Sequence, residues 1–362
     1  MLKTYPSSTE PIRFGVIGLG WYGSSRCELL QSTDGVALTA VADLSGERAR
    51  HHGERYGVFW TQDYQELLQR ADVDVVAVFV PSGLHLDITR QVASVGKHVL
   101  TTKPLEVSEE RATAMVEVCR DAGVQLFCEF YLRYQPEHYQ ARKAISEGVL
   151  GELILGEFSW KGFRSREYWM AGGGWRRTLA LNGGGLAMNQ IMHTLDMMRW
   201  TMGDVVHVNA LAGRYLHDIE GEDTLAALFT TASGATAVVT GTTTYLTPRP
   251  DDFDWGGGST TRLDVSGTRG SLRIIDDELD SYRFTEGKLP DCTGLPANVF
   301  ADVAETLRNP GRASPTLATG EDARDVVRIA MALYSAVDTG QNVTLAHPTS
   351  HRTAVTPSTA GR

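Results

Sequence analysis

The segment Gly18-Leu19-Gly20-Trp21-Tyr22-Gly23 constrains this chain more than any other stretch, because of what flanks it. Ile12 to Ile17 reads as a short buried strand, and Ser24 to Gln31 reads as a helix. Glycines in that spacing arise often by chance, but between a strand and a helix each has a task. Gly18 makes the tight turn, Gly20 leaves room for a pyrophosphate, and Gly23 lets the helix approach the strand. The N–H groups at the helix start then face the phosphates, with Trp21 and Tyr22 beside them.

A second strand, Val36 to Ala42, ends in Asp43. A carboxylate about 20 positions past the glycines can accept hydrogen bonds from the adenosine ribose and repels a 2′-phosphate, which favours NAD over NADP. Ser45 and Arg48 lie close enough to soften that preference, and Asp43 could instead cap the following helix. The alternation continues with an apolar run at Val73–Val80, a turn at Pro81-Ser82-Gly83-Leu84-His85, and a strand at His98–Thr101. Thr102-Lys103-Pro104, a helix over Ser108–Ala122 and a strand over Val124–Cys128 complete it. Strands separated by helices predict a Rossmann-type, doubly wound parallel sheet over residues 11–130. Ligands bind at the carboxyl ends of such strands, so Pro81, Ser82, His85, Thr102 and Lys103 belong to the crevice of the glycine loop.

Beyond residue 131 the pattern changes. Strand-like runs at 153–163, 205–215, 224–231, 235–245, 261–266 and 271–275, several separated by glycine turns, predict a large, mostly antiparallel open sheet over 131–346. Helical patterns cover Gly185–Met202 and Glu321–Asp338. On the first, Ile191, Leu195, Met198 and Met202 form an apolar stripe, and Asn189, His193, Asp196 and Trp200 the opposite one. The second stripe is polar without being a charged solvent face, which suggests a cleft.

Bulk properties narrow the class. The 362 residues carry a formal charge of −10 with no Lys/Arg run, which argues against a nucleic-acid partner. No run approaches the roughly 18 apolar residues of a membrane span. Four scattered cysteines, Cys27, Cys119, Cys128 and Cys292, read as reduced thiols, and no metal site is expected. Residues 1–10 read as a disordered leader without a signal-peptide core, and 347–362 as a mobile tail, so a cytoplasmic protein is expected.

In combination these motifs resemble the Gfo/Idh/MocA oxidoreductases, from Arg13 to about Leu345. The segment from Gly96 to Leu105 is similar to that family's Glu-Lys-Pro segment. Gly183-Gly184-Gly185, Asn189, His193, Asp196, Trp200 and Gly203 follow its second motif, and Arg133-Tyr134, Pro136 and Gly172 to Arg176 also fit. The resemblance implies a Rossmann domain joined to an open α/β domain, and hydride transfer between a sugar or cyclitol carbon and nicotinamide C4. It makes Lys103 the holder of the reacting hydroxyl and His193 the general base. Two positions depart from the pattern: Thr102 stands for Glu, and Asn189 for the commoner Asp. Asn cannot stabilise an imidazolium by charge, and Glu129 could replace the carboxylate missing at 102. Candidate substrate contacts are Tyr131, Arg133, Lys161, Tyr168, Trp175, Arg176 and Gln190, since aromatic faces and forked donors suit a polyhydroxyl ring. The resemblance also implies a homo-oligomer, dimer or tetramer, built through the second sheet. Two other outcomes stay open at this stage: an NAD-dependent glycoside hydrolase working by transient oxidation and elimination, and a non-catalytic NAD-binding sensor.

Overall fold

The structure, a computed structural model, describes residues 10–247 and 258–345. The expected tail over 347–362, and all of the expected leader except residue 10, lie outside the described residues. The first sheet comprises β1 (Ile12–Ile17), β2 (Val36–Ala42), β3 (Phe59–Thr61), β4 (Val75–Val78), β5 (His98–Thr102) and β6 (Leu126–Glu129). Its order is β3-β2-β1-β4-β5-β6, all parallel, so the winding reverses between β1 and β4. All four residues of β4 are buried, as a strand covered by helices on both faces requires. The carboxyl ends of β1, β4 and β5 flank that reversal, which is where a doubly wound sheet opens a crevice.

The second sheet comprises β7 (Leu153–Gly162), β8 (Val205–Gly213), β9 (Thr224–Thr231), β10 (Thr236–Thr242), β11 (Ser259–Gly267), β12 (Gly270–Ile275) and β13 (Glu278–Phe284). Two later strands are β14 (Ala318–Thr319) and β15 (Val343–Thr344). The order is β13-β12-β11-β7-β10-β9-β8-β15, antiparallel except that β10 runs parallel to β7. Strand β14 instead pairs with β6, Ala318 opposite Cys128, so a late piece of the chain closes the edge of the first sheet. It leads into the helix Gly320–Thr339, which a capping box of Thr319 and Asp322 starts.

One face of the second sheet packs on the helix Met192–Met202, and the other is open. The alternation along β7 shows the division: Gly156, Phe158, Trp160 and Gly162 are buried, whereas Leu155, Glu157 and Lys161 are exposed. Lys161 therefore belongs to the open face and not to the helix-covered one, which corrects its expected place among the substrate contacts.

The helix expected from Gly185 begins only at Met192. Tertiary contacts, invisible in the local pattern, explain the difference. The Glu222 carboxylate accepts from the backbone N–H groups of Gly185 (3.2 Å) and Ala187 (2.6 Å), and the Glu222 carbonyl accepts from Leu186 (2.9 Å). A Cβ on Gly185 would lie 1.9 Å from that carbonyl oxygen. These bonds hold 185–191 as turns, so Asn189 and His193 do not share a helix.

Candidate active site

The end of β1 builds an open cradle. Gly18 takes φ +94° and donates to the Ala42 carbonyl at 2.9 Å, a conformation that side chains resist. A Cβ on Gly23 would sit 1.9 Å from the Gly18 oxygen, whereas one on Gly20 would meet nothing within 4 Å. The helix Trp21–Gln31 starts there without a side-chain cap. Its first N–H groups are thus turned toward open space, which fits a pyrophosphate.

Asp43 stands beside this loop at the end of β2. One carboxylate oxygen accepts from the Leu19 N–H at 2.8 Å; the other accepts from the Ser45 N–H and the Arg48 guanidinium, both at 2.8 Å. The next helix is capped by Ser45, whose side chain accepts from the Arg48 N–H, and not by Asp43. These groups fit the adenosine half of a dinucleotide, with the cradle at Gly20 for its phosphates.

Other expected cofactor contacts divide. Pro81 and Ser82 form the turn at the end of β4, against the helical turn Leu179–Asn182 of the second domain. His85 does not face the crevice: it is fully buried, and its ring nitrogens lie 3.0 Å from the Leu105 and Val80 carbonyls. Both nitrogens are occupied by backbone, so His85 pins two crevice loops together and its expected cofactor contact is withdrawn. Trp21 is exposed. The Tyr22 hydroxyl donates to Glu129 at 2.7 Å, and Arg26 lies 3.4 Å from the other Glu129 oxygen. Glu129 is across from Thr102 in the sheet but ties the first helix to β6 instead of meeting Lys103.

Lys103 follows β5, before a cis bond to Pro104. Its Nζ reaches across to the second domain and donates to the Asn189 carbonyl at 2.5 Å. Burial, then the charges of Arg176 and Arg164, push its pKa down to about 7. His193 is held well below the ordinary 6.5, first by burial, then by Lys103 and Arg26. It is therefore the free base at neutral pH. The Tyr131 ring meets its edge at 4.5 Å between centroids and Phe130 at 6.0 Å.

The Asn189 side chain is engaged elsewhere: its Oδ1 accepts from the Tyr168 hydroxyl, and its Nδ2 donates to Asn182, each at 3.3 Å. Gln190 donates to the same Tyr168 hydroxyl at 2.9 Å. Arg176 stacks over the rings of Tyr168 and Trp175, at 5.0 and 4.5 Å. Tyr131, Tyr168, Trp175, Arg176 and Gln190 thus gather around Lys103, Asn189 and His193. Arg133 does not join them. It is buried in a bidentate pair with Asp196, at 2.9 and 2.6 Å, between the rings of Phe130 and Trp200. With both faces and its fork occupied, Arg133 is a structural strut and not a substrate contact. Arg26, Arg164 and Glu222 escaped sequence reasoning, because each acts through partners remote in the chain. Among the described residues no cluster of His, Cys, Asp and Glu forms a metal site, no two cysteines are joined, and no helix is long and apolar enough to cross a membrane.

Comparison with known proteins supplies the context. Residues 12–130 match the model described as oxidoreductase family, NAD-binding Rossmann fold, and residues 138–273 match the GFO/IDH/MocA C-terminal domain. D-apiose dehydrogenase of Paraburkholderia graminis is 25% identical, covering 100% of this chain and 97% of its own. Inositol 2-dehydrogenase of Rhizobium meliloti is 26% identical, over 76% of this chain and 79% of its own. Among solved structures, the WlbA dehydrogenase of Chromobacterium violaceum, in complex with NADH and UDP-GlcNAcA, is 25% identical. It superposes with a TM-score of 0.85 over 97% of this chain and 100% of that one.

Proposed function

Since this chain belongs to the Gfo/Idh/MocA oxidoreductase family, we propose that it is a dehydrogenase moving a hydride between a secondary alcohol of a sugar, glycoside or cyclitol and NAD. The observation that carries this reading is the meeting of Lys103 with the segment that delivers Asn189 and His193, through the 2.5 Å bond from Lys103 Nζ to the Asn189 carbonyl. When bound, NAD supplies the hydride acceptor at its nicotinamide C4. The remaining work falls to side chains. Lys103 orients the hydroxyl and places positive charge where alkoxide develops. His193, a free base at neutral pH, takes the hydroxyl proton. Tyr131, Tyr168, Trp175, Arg176 and Gln190 supply ring faces and donors for a polyhydroxyl substrate.

The two basic groups differ in the direction that matters. His193 must be neutral to accept a proton, and its pKa lies well below 6.5. Lys103 must keep its proton to stabilise the alkoxide, and its charge is lost as pH rises through about 7. Oxidation should therefore be supported below about 7 and decline above it. The test is a screen of sugars, glycosides and cyclitols, beginning with D-apiose and inositols, followed by NADH absorbance with NAD and with NADP. Accumulation of NADH that Lys103→Ala and His193→Ala both abolish supports the reading; tight NAD binding without turnover across the panel overturns it.

A further inference from the structure

A cavity of about 60 Å³ borders His193, Tyr131 and Gln190 and extends to His138 and Asp277. Three buried polar atoms of its lining have no partner: His193 Nδ1, Gln190 Oε1 and His138 Nδ1. Their chemistry is complementary. If His193 accepts a proton at Nε2, its Nδ1 carries hydrogen and is a donor. Gln190 spends its amide N–H on Tyr168, which leaves Oε1 as an acceptor. His138 meets Asp277 through Nε2 at 3.0 Å; beside a carboxylate that nitrogen carries the proton, so Nδ1 is also an acceptor. One donor and two acceptors thus belong to residues that line a space well above the roughly 10–15 Å³ that admits one water.

A catalytic histidine usually hands its second N–H to a carboxylate, which steadies the imidazolium. Here the nearest side chain in sequence that could do so, Asn189, is neutral and is bonded to Tyr168 and Asn182. We infer that ordered water in this cavity carries the proton from His193 to the His138–Asp277 pair, so that these two residues complete the base. The inference rests on the reading of His193 as the base.

In the oxidation direction the substrate hydroxyl gives its proton to His193 Nε2. The imidazolium releases its Nδ1 proton to water, and the water passes one of its own to His138 Nδ1. His138 then yields its Nε2 proton to Asp277, whose side chain is 37% exposed and exchanges with solvent. Proton exchange with solvent through the imidazolium form, once product has left, returns both His138 and His193 to their starting tautomers. Only O–H and N–H bonds change, and one proton leaves. Lys103 and Arg26 bear on His193 and favour release of its proton. Arg262, the other charged group on the lining, is tied to Asp264, so Asp277 is the carboxylate left at the far end.

Exchange of the His193 Nδ1 proton with solvent tests this, read by ¹⁵N-histidine NMR on the full chain with NAD bound. Asp277→Asn suits the purpose, since Asp277 sits at φ +65° and Asn tolerates that region. His138→Gln is the second variant. Each should slow the exchange by about tenfold or more with NAD affinity unchanged. A packing defect would open the cavity and speed exchange, so unchanged or faster exchange in both variants overturns the relay. Turnover of His193→Ala reads the base itself: activity persisting there defeats the base reading, whatever the exchange rates show.

Discussion

Arg133 offers the sharpest separation of a structural role from a substrate role. Its guanidinium is 3% exposed and Asp196 is 0% exposed, and the pair is joined by two bonds of 2.9 and 2.6 Å. Replacing Arg133 with Met keeps most of the volume between Phe130 and Trp200 but strands the Asp196 carboxylate away from water. Breaking a buried pair on one side costs about 3–5 kcal/mol. With a urea dependence near 3 kcal/mol per molar, that is a midpoint lowered by roughly 1–2 M. Asp196→Leu should do likewise by stranding the arginine. Because both charges vanish in Arg133→Met/Asp196→Leu, the double variant should recover most of the loss, a large positive coupling in a double-mutant cycle. The assay is urea unfolding without substrate, followed by circular dichroism and intrinsic fluorescence. An Arg133→Met protein that unfolds at the wild-type midpoint yet binds substrate poorly would refute the strut and restore the arginine to the substrate site.

Further outcomes follow from the same geometry. The pH profile of kcat/KM for oxidation should fall above about 7 as Lys103 loses its proton, and Lys103→Met should remove that limb with a rate loss of about 10² or more. Asp43→Ser should weaken NAD more than NADP in calorimetric titrations, while an unchanged ratio would mean that Asp43 does not meet the ribose. His85→Ala should remove the ring that links the Val80 and Leu105 loops, leave a carbonyl unbonded and lower stability by about 1–3 kcal/mol, with NAD affinity nearly kept wherever the chain is folded. Leu211 and Leu228 are exposed on neighbouring strands β8 and β9; Leu211→Glu/Leu228→Glu should dissociate any oligomer built on that sheet, read by light scattering.

Local pattern located β1, β2, β4, β5 and β6 of the first sheet, but not the three-residue β3 or the late β14, which owe their conformation to pairing with β2 and β6. Strand β4 is apolar and buried throughout, as cover on both faces favours, while β1, β2, β5 and β6 set Arg13, Thr39, His98, Thr101, Thr102 and Glu129 among their apolar residues. The glycine loop was legible for a related reason: backbone geometry at Gly18 and crowding at Gly23 admit no side chain, so the requirement is written in residue identity. Strand β13 was invisible, since Glu278–Phe284 is largely exposed and polar and owes its conformation to pairing with β12.

The candidate site divides along the same line. Its residue types, Lys103 before a proline and His193 after a glycine run, could be picked out because their chemistry is uncommon in that setting. Their surroundings could not. A stripe at helical spacing suggested that Asn189 and His193 share a turn, but Glu222, some 35 residues away, draws off the N–H groups of Gly185 and Ala187 and delays the helix. Arg133 and His85 look like any functional arginine and histidine until Asp196 is seen to take the guanidinium fork and two carbonyls to lie against both imidazole nitrogens. Sequence alone determines which groups a chain carries and which backbone shapes it tolerates, because those are properties of each residue. Tertiary structure decides which of those groups remain free for a ligand, because a hydrogen bond spent on a distant partner leaves no mark on its neighbours in the chain.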